Sequence, residues 1–320
     1  MIPRETNPHP LAGAGRDAKL MYPRAFYPLG RDSLVAMNAT PHAPLPNAGL
    51  HTLGGLEKML AAERVLPLGA LIFHCSRCGS TLLSRILALE PGNRVFVEPS
   101  VLPQFLEAIA SELSPGHFHS GLRTFIQAFG LLPQPGEERL IIKLSSPALR
   151  YIASFRACFP GVPFIYLLRD PVAVAGSLQA NPPPSLCYER RTAIAAYWNE
   201  SGQERWGDSP AEWYAWYVNR NMRFALRHAP EFSAVIDYGN FATPYLELAS
   251  SLSGRSWSAD MPEVAKTFAH YSKRPTVTFQ PRLKPPPAFT ATVESIAGET
   301  YFQWQEKLQG TNRPSSDRLG

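Results

Sequence analysis

The chain has 320 residues, 45% of them apolar, a formal net charge of +5 and a pI near 9.0. A sequence of this length buries its own core and is no small module held by disulfides or a structural metal. The positive balance suits anionic ligands in general. Lysines and arginines are scattered, however, and no helix-turn-helix, RRM or zinc-finger pattern is present, so nucleic acid is not indicated.

Cysteines at 75, 78, 158 and 187 are too few and too unevenly spaced for a secreted disulfide framework. No basic-then-apolar leader opens the sequence, and no apolar run nears the ~20 residues of a membrane span. A cytoplasmic protein without a membrane span is the expectation.

Residues 1–66 are rich in Pro, Gly and Asn and read as an irregular arm with one helical stretch, Leu53 to Ala62. Residues 67–274 alternate strand and helix without an internal repeat or a Gly/Ser linker, which predicts one core domain. Its strands are expected at 70–73, 94–97, 140–144, 164–168 and 234–237. Helical spacing marks 80–89, 101–113, 120–131, 147–158, 171–180, 189–200, 210–228 and 240–252. Residues 275–320 form a C-terminal extension, broken at Lys284-Pro285-Pro286-Pro287, with a helix expected from Glu294 to Lys307. Strands bounded by helices imply an α/β fold, a mostly parallel sheet flanked by helices. Ligands of such sheets bind at the carboxyl ends of the strands.

Two segments at such ends carry chemistry. After the first strand the chain reads His74-Cys75-Ser76-Arg77-Cys78-Gly79-Ser80-Thr81-Leu82-Leu83. Gly79 lets the backbone approach an anion, and the first N–H groups of the following helix point at it. Arg77, Ser80 and Thr81 add charge and hydroxyls. A Walker A loop would need Gly at His74 and Lys at Ser80, and a His-Cys-x5-Arg phosphatase loop would need Arg at Thr81. Both readings fail. The second segment, Arg169-Asp170-Pro171 through Ser177, follows an apolar strand. Asp170 suits an N-cap and Pro171 the first helical position. Arg169 then stands at the strand's carboxyl end, where a guanidinium grips a phosphate bidentately, with the Ser177 hydroxyl two turns into the helix.

With these two segments in this order, the chain resembles the sulfotransferases that use PAPS (3′-phosphoadenosine 5′-phosphosulfate) as donor. Their 5′-phosphosulfate loop, Arg-x-Gly-Thr/Ser-Thr-Leu-Leu, is matched by Arg77 to Leu83, so the resemblance implies donor contacts from Arg77, Cys78, Gly79, Ser80 and Thr81. Their Arg-Asp-Pro-x5-Ser segment contacts the 3′-phosphate, which implies the same of Arg169 and Ser177. The implied fold is a P-loop nucleotide-binding-like sulfotransferase fold over about residues 70–240. Val235-Ile236-Asp237-Tyr238-Gly239-Asn240-Phe241 is similar to a family strand ending in Tyr-Glu-Asp-Leu, but Gly239 and Asn240 replace the acidic pair, and no chemistry is assigned there.

The cytosolic small-molecule enzymes of this family place their base as the His of Lys-Thr-His, where this chain has Lys143-Leu144-Ser145. The pattern is more similar to the tyrosylprotein and bacterial type, which implies Glu98, after the second strand, as base. Lys143 then serves the bridging oxygen of the donor, with Arg77 and the helix N-terminus on the sulfate. No metal is called for, and neither His74 nor the other histidines are needed. A Glu before Pro99 is otherwise a cap or a surface acid. Lys143, by contrast, ends an apolar strand, where an unpaired ammonium is costly. The aromatics between Tyr188 and Arg227, among them Tyr197, Trp198, Trp206, Trp213, Tyr214, Trp216 and Tyr217, either line an acceptor pocket or pack the core. Lys273 and Arg274 either add nucleotide contacts or form a solvated turn.

Two other readings stay open. Cys75-Ser76-Arg77-Cys78 has the spacing of a thiol-disulfide oxidoreductase, although that leaves Arg169 to Ser177 unexplained. A non-catalytic nucleotide-binding protein would keep the donor loop alone. The acceptor hydroxyl or amine, whether on a small molecule, sugar or peptide, and the oligomeric state are not legible.

Overall fold

A computed structural model describes residues 20–21, 53–99, 102–103, 105–106, 115–183, 186–198, 207–271, 274–278 and 285–311. Its centre is a parallel sheet in the order β1-β3-β4-β2-β5-β6, formed by β1 (Leu20–Met21), β2 (Leu68–His74), β3 (Asn93–Val97), β4 (Arg139–Lys143), β5 (Phe164–Leu168) and β6 (Ala234–Asp237). β3 and β5 are buried along their whole lengths, as are Ala70 to His74 of β2. Burial on both faces is why these strands read as continuous apolar runs rather than alternating ones. The α/β class with a parallel sheet is thus what the structure has. Five strands match the expected positions to within two residues at either end. Within the arm expected to be irregular, Leu20–Met21 pairs with β3, a strand too short to carry a periodic signal.

The helices that concern the site are α1 (Leu53–Ala62), α2 (Ser80–Leu87), α3 (Pro115–Ala128), α4 (Ile152–Cys158), α5 (Pro171–Ala180), α6 (Arg191–Trp198), α7 (Pro210–Arg227), α8 (Ala242–Ser253), α9 (Pro262–Ala269) and α10 (Pro287–Thr311). Segment 147–158, expected as one helix, is a 3-10 turn over Ser146–Tyr151 followed by α4. Most of expected helix 101–113 lies outside the described residues. An antiparallel pair of β7 (His270–Tyr271) and β8 (Arg274–Thr278), which follows helix α9, was not anticipated.

The C-terminal extension contributes to the core. α10 packs on α7 and α5, burying Val293, Ala297 and Trp304. Trp304 Nε1 donates to the Met222 carbonyl at 3.1 Å, and Thr300 Oγ1 to Asn219 Oδ1 at 2.7 Å. At the other side of the sheet Arg94 is buried against Glu137 at 2.6 Å and also donates to the carbonyls of Phe129, Leu131 and Leu132. Such a buried charge pair is tolerable because almost every donor finds an acceptor.

From β2 the chain moves to one side, building β3 and β4, and then crosses to the other for β5 and β6. β2 therefore stands where the winding reverses, and the crevice beyond its carboxyl end is the place such sheets use for ligands.

Candidate active site

The turn after β2 departs from ordinary backbone geometry at most of its residues. Ser76, Arg77 and Gly79 have φ of 74°, 49° and 78°, and left-handed non-glycine residues cost of order 1–3 kcal/mol each, a cost that persists where surrounding structure over-determines it. At Gly79 a side chain is excluded by contact as well as by angle: a Cβ would lie 2.4 Å from the Tyr238 ring and 2.9 Å from the Tyr245 hydroxyl. Gly79 is also the N-cap of α2 and supplies no capping side chain, so Ser80 and Thr81 begin the helix with N–H groups that take no partner among the described residues. Ser80 and Thr81 are themselves buried. The turn thus presents an uncapped helix start beneath Arg77, an anion-binding arrangement.

What over-determines the turn is His74. Its ring is 3% exposed. Ser76 N–H donates to Nδ1 at 3.0 Å, which places the ring proton on Nε2. Nε2 donates to the Leu144 carbonyl at 2.9 Å and lies 3.4 Å from Glu98 Oε1. Sequence reasoning set His74 aside. Yet it is a polar residue at the end of an apolar strand, the argument that singled out Lys143, and that signal was available.

Parallel register brings Glu98 and Lys143 to the same edge. Val97 and Ile72 both align with Lys143, and Glu98 N–H donates to the Lys143 carbonyl at 2.7 Å. The Lys143 ammonium, 1% exposed, forms an ion pair with Glu98 Oε1, while the Glu98 side chain keeps 38% exposure. Glu98 itself has φ of 47°. One carboxylate oxygen is thereby fixed between a buried ammonium and an imidazole N–H, and the acid faces outward. Beside it, Ser145 Oγ is buried without a hydrogen-bond partner among the described residues. Behind it, the Tyr217 hydroxyl meets Ser146 Oγ at 2.6 Å, and Tyr166 donates to Asn221 Oδ1 at 2.9 Å. Burial pushes the Tyr217 phenol well above its ordinary range, so this wall is uncharged at neutral pH.

Across β2, Arg169 leaves the end of β5. Its Nη1 donates to the Arg77 carbonyl at 3.1 Å, and its guanidinium lies 4.6 Å from the centre of the Tyr238 ring. Tyr238 stacks on Phe241 and covers Gly79, so one ring joins both anion segments. Asp170 caps α5 as expected, accepting from Val172 and Ala173 N–H at 3.1 and 3.2 Å. Ser177 lies partly buried on the same helix. The Arg77 guanidinium donates to the Asn181 carbonyl just past the end of α5, bridging the two segments. At the end of β6, Asp237 accepts from Tyr301 at 2.7 Å, from Gln305, and from the Gly239 N–H at 2.9 Å, which ties α10 to the turn that carries Tyr238.

The sequence-selected residues therefore fall in two connected groups around the end of β2: Glu98 with Lys143, and the turn 77–81 with Arg169. Cys78 is fully buried between them, its carbonyl accepting from the Tyr245 hydroxyl at 3.3 Å. Of the aromatics, Trp198, Trp213, Tyr214, Trp216 and Tyr217 are buried, the packing alternative. Trp206 and Lys273 lie outside the described residues, as does the Tyr197 side chain.

No family model matches the chain, and no curated protein matches it. Similar solved structures include a sulfotransferase from Alicyclobacillus acidocaldarius, at 17% identity over 77% of this chain and 97% of that one, with a TM-score of 0.46. The sulfotransferase domain from the curacin biosynthetic pathway is 13% identical over 72% of this chain and 98% of that one, with a TM-score of 0.42. A sulfotransferase from Mycobacterium avium is 12% identical over 77% and 79% respectively, with a TM-score of 0.41.

Proposed function

We propose that this chain is a cytoplasmic sulfotransferase that moves a sulfuryl group from PAPS to a hydroxyl or amine acceptor. The observation that carries the reading is the grouping just described, in which an uncapped helix start and Arg169 flank β2 while a Glu98–Lys143 pair stands at the same strand ends. Two anion-binding elements in one crevice suit a donor with charge at both its 5′ and 3′ positions. The reading gives the phosphosulfate to Arg77, the backbone of Cys78 and Gly79, and the first turn of α2 with Ser80 and Thr81. It gives the 3′-phosphate to Arg169 and Ser177. Among the described residues no helix is long and apolar enough to cross a membrane.

The Glu98–Lys143 pair supports a specific division of labour. Sulfuryl transfer takes a proton from the acceptor, forms a bond from acceptor oxygen to sulfur, and breaks the bond from sulfur to the bridging oxygen, which leaves with the phosphate and gains negative charge. In the resting site the Lys143 ammonium is compensated by Glu98. When Glu98 accepts the proton it loses the charge that held Lys143, and the ammonium becomes available to the oxygen gaining charge. The base and the charge stabiliser are thus coupled through one ion pair, and His74 keeps the shared carboxylate oxygen in place. A protein that retained only the donor loop would not require this pairing.

Glu98→Gln tests the assignment. It keeps an acceptor for Lys143 and His74 but cannot take a proton, so kcat should fall by about 10²–10⁴-fold while affinity for PAP, the desulfonated donor, hardly changes. Because the substitution leaves a buried ammonium uncompensated, which costs about 3–5 kcal/mol in such sites, Glu98→Gln with Lys143→Met serves as the folding control. A Glu98→Gln protein turning over within a few-fold of the parent, on whatever acceptor the parent sulfonates, removes Glu98 as base.

A further inference from the structure

His74 ends β2 with its backbone in register with Leu167 of β5, and the next N–H, that of Cys75, donates to the Leu167 carbonyl at 3.0 Å. From there the turn leaves the sheet, and Ser76 and Arg77 take φ of 74° and 49°, conformations that persist only where neighbours hold them. Among those neighbours is the His74 ring, 3% exposed, whose Nδ1 accepts from the Ser76 N–H at 3.0 Å. On its far side Nε2 is 2.9 Å from the Leu144 carbonyl and 3.4 Å from Glu98 Oε1. We propose that His74 is a positioning residue that couples donor binding to base placement, Nδ1 setting the turn that takes the phosphosulfate and Nε2 setting the carboxylate that takes the acceptor's proton. This role rests on the sulfotransferase reading and adds to it the link between donor turn and base.

Only one protonation state of the ring does both. Nδ1 must be bare to accept and Nε2 must carry the proton to donate, so the imidazole has both nitrogens engaged and no place for the acceptor's proton. It therefore acts through Glu98 rather than in its stead. Lys143 compensates the Glu98 charge, but an ammonium is a point charge and sets no direction by itself. The planar ring, seated on a strand end, supplies the direction. Because the ring is rigid, its two nitrogens move together, and a displacement of Ser76 is passed to Leu144 and Glu98, beside the ends of β4 and β3. A histidine kept for volume alone would not need a partner at each nitrogen. At 3% exposure no water takes the place of a partner that is lost.

The test replaces one nitrogen at a time in the full chain. An Asn amide reaches as far as Nδ1 and can accept from the Ser76 N–H, whereas a Gln amide reaches as far as Nε2 and can donate to Leu144 and Glu98. His74→Asn should keep PAP affinity within about threefold of the parent and lower kcat at saturating PAPS by about tenfold or more. His74→Gln should reverse the pattern, with PAP bound about tenfold more weakly and kcat reduced less than in His74→Asn. The Gln variant carries both predictions, so the inference stays open to refutation even where His74→Asn does not fold. Amide hydrogen exchange on the unliganded chain reads the Nδ1 contact without any donor: the Ser76 N–H should exchange about tenfold faster in His74→Gln and hardly faster in His74→Asn. Parallel losses of affinity and turnover in both variants, or no loss in either, would overturn the proposal. A parent that binds no PAP marks failure of the donor reading; the Ser76 exchange pattern would then still uphold the Nδ1 contact, and equal exchange in the two variants would refute it. A loss of turnover in Glu98→Gln with none in His74→Asn would leave the base in place and remove its link to the ring.

Discussion

The two strand-to-helix junctions that flank the crevice begin from the same problem, a helix start with N–H groups to satisfy, and solve it in opposite ways. At β5–α5 the chain satisfies itself: Asp170 accepts two of the N–H groups and Pro171 removes another. At β2–α2 there is no cap at all; Gly79 stands where a capping side chain would, and the preceding turn is held in left-handed conformations by the His74 ring and the packing of Tyr238. On the proposed reading a closed helix start offers the donor only side chains, those of Arg169 and Ser177. An open one holds it through the backbone. The difference predicts that damage to the first junction is read in ligand affinity and damage to the cap of the second in stability.

The largest effect belongs to Gly79→Ala. The added methyl meets ring carbons at 2.4 Å and sits at φ 78°, so strain and overpacking together amount to about 3 kcal/mol or more. The turn should yield before the sheet does, and PAP affinity by calorimetry should fall by more than about 100-fold. Pairing Gly79→Ala with Tyr238→Ala removes the overlap while keeping the unfavourable angle, and should recover part of the affinity. A Gly79→Ala protein that binds PAP as the parent does would show that the open junction is not the anion site.

The turn also marks where sequence reasoning stopped. Strands β2 to β5 were legible because they are buried over most of their lengths and therefore largely apolar, and the Asp170-Pro171 start because capping is local chemistry. Lys143 was legible as a charge ending an apolar strand, and Glu98 only through the resemblance to the tyrosylprotein and bacterial type. Their pairing was not, since it depends on the register of strands 45 residues apart, and neither was the place of His74, whose contacts lie at Ser76, Glu98 and Leu144. Leu20–Met21 and the β7–β8 hairpin lacked the length for any period to show.

An intermediate effect is expected at Arg169. Its guanidinium is the charged group of the closed junction, and a lost charge-assisted contact of this kind is worth about 1.5–3 kcal/mol. Arg169→Ala should weaken PAP by roughly 10- to 150-fold and weaken adenosine 5′-phosphosulfate, which lacks the 3′-phosphate, far less. Equal losses for both ligands would move Arg169 from the 3′-phosphate to the turn, whose Arg77 carbonyl it already contacts.

The smallest effect, and the one that separates the junctions most cleanly, is that of Asp170→Ala. Its carboxylate is committed to the Val172 and Ala173 N–H groups, so removing it should cost about 0.5–2 kcal/mol of stability, the usual range for a lost N-cap. PAP affinity should stay within a few-fold of the parent, because α5 offers the ligand side chains rather than its helix start. Asp170→Asn, which can still accept at the cap, should restore most of the stability. If Asp170→Ala instead raised PAP affinity with little change in melting temperature, the newly opened helix start would be competing for the phosphate. The two junctions would then differ only in which is capped, and backbone binding would be the common device of both.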